Sequence, residues 1–133
     1  MKKTTAYAIE NGKSTYCVDL SVSGFDFIGD EPENMGGKNL GPDPYDYLCA
    51  ALAECSVMTV RWFAEQNNWP VENVEVTITH EKQGREDQFT KQTVITAPDG
   101  SGRRASGGRG LPWHAGLGGA ARPARRPPSG HTL

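Results

Sequence analysis

The chain of 133 residues lacks any stretch close to the roughly 20 apolar residues that a membrane-spanning helix needs. Its Lys2-Lys3 start is not followed by the apolar segment of a signal peptide. No membrane association is therefore expected, and the cytoplasm is the expected compartment. Cysteine is scarce. Cys17, Cys49 and Cys55 make an odd number with no CxxC spacing and no Cys/His cluster, which excludes a disulfide framework and a structural metal and leaves no cofactor implied. Positive charge is scarce as well. Residues 1–97 hold 8 Lys and Arg against 15 Asp and Glu, and so acidic a segment repels phosphate, which removes nucleic acid from the expected partners.

The strongest absence lies at the other end. Residues 98–133 contain no Val, Ile, Phe, Met, Tyr, Cys, Lys or Glu, and 25 of these 36 residues are Gly, Arg, Pro or Ala. With Leu111, Trp113, Leu117 and Leu133 as the large apolar side chains, the segment buries too little to offset an ordering cost of ~1–2 kcal/mol per residue. The chain is therefore divided into a domain over 1–97 and a Gly/Ala/Arg/Pro-rich tail over 98–133 that is expected to be disordered. Those four residue types are also the ones that codons made only of G and C encode. An out-of-frame reading of GC-rich DNA from about residue 98 explains the switch, and a natural Arg/Gly-rich tail is the alternative. An RNA-binding role for the tail is disfavoured, because it has neither aromatic interleaving nor a folded basic surface.

What is present ahead of the tail is an α+β pattern. Lys3 to Ile9 and Ser14 to Val22 read as antiparallel strands joined at Asn11-Gly12, a strong hairpin dipeptide, and Phe25, Phe27 and Ile28 supply a short third strand. A Gly/Pro/Asp-rich loop follows Gly29. Val74, Val76, Ile78 and His80 alternate with Glu75, Thr77, Thr79 and Glu81, and Phe89 to Ala97 is β-branched, so two further strands are expected with a turn over Gln83 to Asp87.

Between the two groups runs one long helical signal, from about Pro44 to Asn67. Asp43 is suited to the N-cap and Pro44 to the first helical position, and Pro70 stops the helix by pushing Trp69 out of the α region. Leu48, Leu52, Cys55, Thr59 and Trp62 form one stripe, and Ala50, Ala53, Val57, Val60 and Ala64 a second, so the helix is expected to be buried. It carries Cys55 about three turns in, beyond the reach of the helix dipole. On composition alone such a thiol is an inert small hydrophobe unless Arg61, Lys38 or His80 lies beside it. Cys17 reads as an interior sheet residue and His80 as a packed histidine. Cys49 is expected to lie ~9 Å from Cys55 along the helix, past the ~7 Å Cα limit for a disulfide.

The run from Gly41 to Lys82, with Gly-Pro-x-Pro-Tyr-Asp opening the helix, Ala50-Ala51-Leu52-Ala53 leading into Cys55, Met58-Thr59, Trp69-Pro70 and the strand ending at His80, resembles the OsmC/Ohr family of osmotically inducible and organic hydroperoxide resistance proteins. Asp30-Glu31-Pro32 and Gly36-Gly37 resemble the loop that precedes this helix in that family. The resemblance covers roughly residues 14–97. It implies a cytoplasmic α+β fold with antiparallel strands around a long central helix, assembled as an intertwined homodimer. It implies as activity the reduction of an organic or fatty-acid hydroperoxide by a peroxidatic cysteine at the position of Cys55, with a thiol as reductant, in oxidative-stress defence. The sequence also departs from the family. Tyr45, with Asp46 beside it, stands where a glutamate supports the thiolate, no Arg precedes Arg61, and no cysteine follows Cys55 to resolve a sulfenic acid. These departures keep open a non-catalytic ligand-binding domain or an inactive product.

Overall fold

The computed structural model describes residues 2–107, and these form two compact units that divide at Leu48 and Cys49. In the first unit β1 (Ala6–Glu10), β2 (Val18–Val22) and β3 (Phe25–Gly29) form an antiparallel sheet in the order β1-β2-β3. The tight turn of this sheet lies at Ser23-Gly24, where Val22 faces Phe25 and both turn residues have positive φ (52° and 83°), the geometry that follows strand twist best. At Asn11-Gly12 the sequence expectation is corrected. β1 and β2 start pairing at Glu10 and Val18, and the residues between them make a wider loop. Two side chains hold that loop in place of a ladder. Asn11 accepts from the Lys13 N–H, and the Ser14 hydroxyl oxygen accepts from the N–H groups of Tyr16 and Cys17.

Asp30, directly after β3, organises the path to the helix. Its carboxylate accepts from the Ser14 hydroxyl at 2.6 Å and from the backbone N–H groups of Glu31, Lys38 and Leu40, so it gathers residues 14, 31, 38 and 40 round one buried charge. A short 3-10 turn, Glu33–Met35, fills the loop and is closed by Gly36 at φ 91°. Burial pushes the Asp30 carboxyl up, but the Ser14 hydroxyl and the three backbone donors outweigh it and hold it below the usual carboxylate range.

A group lowered in this way stabilises the fold at pH values above the unfolded-chain value of about 3.9, and that contribution is lost as the pH falls through the lower folded value. On acid titration followed by circular dichroism, the wild-type melting temperature is expected to fall steeply below about pH 4. Asp30→Asn is expected to melt lower at neutral pH and to show a shallower acid limb. Parallel curves for the two chains would remove Asp30 from that role.

The helix α1 (Pro44–Gln66) starts as the sequence suggests, with the Asp46 N–H donating to Asp43 Oδ1 at 2.8 Å and the Asp43 N–H donating to Asp46 Oδ2 at 3.0 Å, a reciprocal cap. The Tyr47 hydroxyl donates to the Ile28 carbonyl and ties the first turn to β3. At the other end Asn68 takes φ 51°, the Asn68 N–H donates to Glu65 O and the Trp69 N–H to Ala64 O. This is the Schellman pattern, so a left-handed asparagine ends the helix two residues before Pro70 acts.

The second unit continues with β4 (Asn73–Gln83), β5 (Glu86–Thr96) and β6 (Gly102–Gly107), antiparallel in that order. Gly84, at φ 65°, opens the two-residue turn between Gln83 and Glu86. Val74 is buried and Val76, Ile78 and His80 are half-buried while their neighbours are exposed, which is the alternation read from the sequence. β6 is the difference. It lies past Pro98, inside the segment assigned to the tail, and pairs Thr96 with Gly102 through Lys91 with Gly107. Ladder bonds come from the backbone, so Gly-Arg-Arg-Ala-Ser-Gly can pair despite its low β propensity. The remaining tail residues, 108–133, lie outside the described residues.

The expectation of a buried helix is also corrected for the single chain. Ala64 is its one buried residue, while Leu52, Met58 and Trp62 are 41%, 61% and 56% exposed. A three-stranded sheet is too small to cover a helix of 23 residues, ~35 Å long, on both apolar stripes. Among the described residues no helix is long and apolar enough to cross a membrane.

Candidate functional site

The three thiols sit in three environments. Cys17 is fully buried at the end of the β1–β2 loop, Cys49 is half-buried and Cys55 is exposed on α1. The helix is unbroken between Cys49 and Cys55, so six residues of rise keep their Cα atoms ~9 Å apart, past the disulfide limit.

The polar neighbour of Cys55 is Thr59, one turn on. Thr59 Oγ1 lies 4.0 Å from Cys55 Sγ and donates its proton to the Cys55 carbonyl at 2.7 Å. With that proton committed to the carbonyl, the thiol is the donor of the longer contact. A hydroxyl that rotates away from the carbonyl offers the same proton to a thiolate. Leu52, Met58 and Trp62 place exposed apolar surface on the same stretch of helix.

Two of the candidate activating groups, Arg61 and His80, have partners of their own. Arg61 donates to the carbonyls of Val71 at 2.8 Å and Glu72 at 3.2 Å, fastening the turn after the helix. The half-buried His80 imidazole meets a carboxylate. Its Nε2 lies 2.9 Å from Asp87 Oδ1, and its ring stacks on Phe89 at 4.8 Å. Lys38 belongs to the first unit, where its N–H serves Asp30.

Asp46 spends its carboxylate on the cap at the helix start, beside the exposed ring of Tyr45. Both precede Cys55 on α1 by nine or ten residues, ~13–15 Å of rise. The residue that sequence reasoning did not single out is Ser14 as a ligand of Asp30, whereas Thr59 already stood beside Cys55 on the helix stripe. Thr59 is signalled by its i+4 spacing, whereas Ser14 reaches Asp30 across 16 residues with no local sign. Among the described residues no group of His, Cys, Asp and Glu stands together as metal ligands.

The fold and the site define an α+β domain built on a capped helix that presents a thiol in mid-length. Residues 36–101 match the family model described as OsmC-like protein, and through that segment the chain belongs to the OsmC-like family. The chain is also similar to a crystal structure from Legionella pneumophila, described as an organic hydroperoxide resistance protein OsmC, predicted redox protein and regulator of sulfide bond formation. That likeness has a TM-score of 0.51 and 16% identity over 89% of this chain and 79% of the other. At that identity it speaks for the fold alone. No curated protein matches the chain.

Proposed function

We propose that the chain is a thiol-dependent peroxidase that reduces organic or fatty-acid hydroperoxides through Cys55, in cytoplasmic oxidative-stress defence, with an external thiol as reductant. The observation that carries this reading is the exposure of Cys55 on the family-matched helix, where Cys17 is sealed and Cys49 is half-covered. In the first half-reaction the Cys55 thiolate attacks the hydroperoxide. The S–O bond forms as the O–O bond breaks, the alkoxide takes up a proton to leave as alcohol, and Cys55 is left as sulfenic acid. An external thiol then condenses with the sulfenic acid, releasing water and leaving a mixed disulfide. A second thiol frees Cys55 and leaves as the oxidised reductant. Tyr45 and Asp46 support the site by fixing the first turn of its helix, at the position of the family's glutamate. The exposed Leu52, Met58 and Trp62 favour a homodimer that covers this face.

A second reading, a non-catalytic OsmC-like ligand-binding domain or an inactive product, is favoured by two observations: no cysteine follows Cys55, and Arg61 and His80 serve other partners. Mass spectrometry after stoichiometric cumene hydroperoxide, with a sulfenic acid trap present, separates the two. Cys55 is expected to carry the trap first, with Cys49 and Cys17 lagging. Labelling spread evenly over the three cysteines, or absent from Cys55, would establish the second reading.

A further inference from the structure

The β1–β2 loop holds a chemical feature that the proposed peroxidase reaction does not use. Asn11 precedes Gly12, the residue whose backbone nitrogen is least shielded, and Gly12 sits at φ 75° with open space where a Cβ would stand. The Asn11 amide is committed on every side. One Nδ2 proton is aimed at Cys17 Sγ at 3.2 Å, the other at Asp19 Oδ1 at 3.0 Å, and Oδ1 accepts from the Lys13 N–H at 3.0 Å. The Asn11 N–H closes the loop on the Cys17 carbonyl.

We propose that Asn11 is a latent deamidation site, that the folded loop suppresses its reaction, and that the reaction, once it occurs, unseals the Cys17 thiol. In the reaction the Gly12 nitrogen attacks Asn11 Cγ and gives up its proton. The new C–N bond forms as the Cγ–Nδ2 bond breaks, ammonia leaves, and water opens the cyclic succinimide to aspartate or isoaspartate. In the native loop the three side-chain hydrogen bonds direct the amide toward residues 13, 17 and 19 and away from the Gly12 nitrogen.

The product cannot keep those bonds. A carboxylate at position 11 has no proton for Asp19 and places two like charges at hydrogen-bond distance, so one must protonate or withdraw. It also has no donor for Cys17 Sγ, and the isoaspartate form adds a backbone carbon beside the Glu10–Val18 pair that begins the ladder. Opening the loop exposes Cys17, which is otherwise fully buried.

The test uses the full chain. At mildly alkaline pH, deamidation at Asn11, read by peptide mass spectrometry, is expected to run at least about tenfold slower in the native protein than in urea. In parallel, Asn11→Asp is expected to unfold at lower urea and to let iodoacetamide reach Cys17, which stays unlabelled in the wild type. An Asn11→Asp chain that does not fold at all counts on the same side. Equal deamidation rates with and without urea, or an Asn11→Asp chain with the wild-type unfolding midpoint and an unreactive Cys17, would overturn the proposal.

Discussion

Gly37→Ala is expected to cost a large fraction of the stability of the first unit, more than alanine at any other glycine among the described residues. A Cβ at residue 37 would lie 1.9 Å from the Glu31 carbonyl oxygen, 2.5 Å from its carbon and 2.8 Å from Asp30 Oδ1. The obstacle is backbone on one side and the buried carboxylate on the other, so no flexible side chain can yield. Relief requires the loop to leave Asp30, and that releases the donors of Lys38 and Leu40 that the carboxylate collects.

Overpacking commonly costs ~1–3 kcal/mol even where side chains adjust, and here roughly 3 kcal/mol or more is expected. Against a total of ~5–15 kcal/mol for a whole domain, that is a large fraction. Gly41→Ala is expected to follow closely, since its Cβ would stand 2.6 Å from the Ile28 carbonyl oxygen. Gly12→Ala is the control. It meets nothing within 4 Å and pays for its positive φ alone, about 1 kcal/mol. Urea unfolding of the three variants reads the order. A Gly37→Ala midpoint no lower than that of Gly12→Ala would mean that the loop adapts and that Asp30 does not hold it.

These glycines also show where sequence reading reaches and where it stops. The helix start was legible because its determinants are local: Asp43, Pro44 and Asp46 lie within one turn and act on one another. The alternation in β4 was legible for the same reason. At Asn11-Gly12 the local signal misled, because that asparagine serves Cys17 and Asp19 rather than a two-residue turn, while the less distinctive Ser23-Gly24 makes the tight hairpin.

β6 carried a sign that composition outweighed. Pro98-Asp99-Gly100 is a turn sequence, and in the fold Asp99 accepts from the Ser101 N–H and hydroxyl while Gly100 takes φ 78°. The loop round Asp30 was recognisable by its Gly36-Gly37 pair, but its geometry depends on contacts 8 to 16 residues apart that no period encodes. At the site, position along the helix picked out Cys55. Its exposure was not legible, because an apolar stripe does not say whether its cover comes from the same chain.

Cys55→Ser is expected to lower hydroperoxide consumption to the level of buffer, while Cys17→Ser and Cys49→Ser retain it. Serine at pH 7 is a far weaker nucleophile than a thiol, and Cys49, the other thiol of the helix, is half-buried where Cys55 is exposed. The stronger expectation concerns how the wild type stops. With no cysteine after Cys55, and Cys49 held ~9 Å away on the same rigid helix, the sulfenic acid has no partner within its own helix. It waits for a thiol from solution.

Turnover is therefore expected to rise in proportion to added thiol, with monothiols serving as well as dithiols. A molar excess of hydroperoxide added before the thiol is expected to carry Cys55 to the sulfinic acid, which thiols do not reduce. A chain exposed first to excess oxidant should remain inactive after thiol is restored, while one exposed to a single equivalent should recover. Recovery in both cases would reveal a resolving partner that protects Cys55, and a second copy of this chain, through its own Cys49, would be the first place to look by non-reducing electrophoresis.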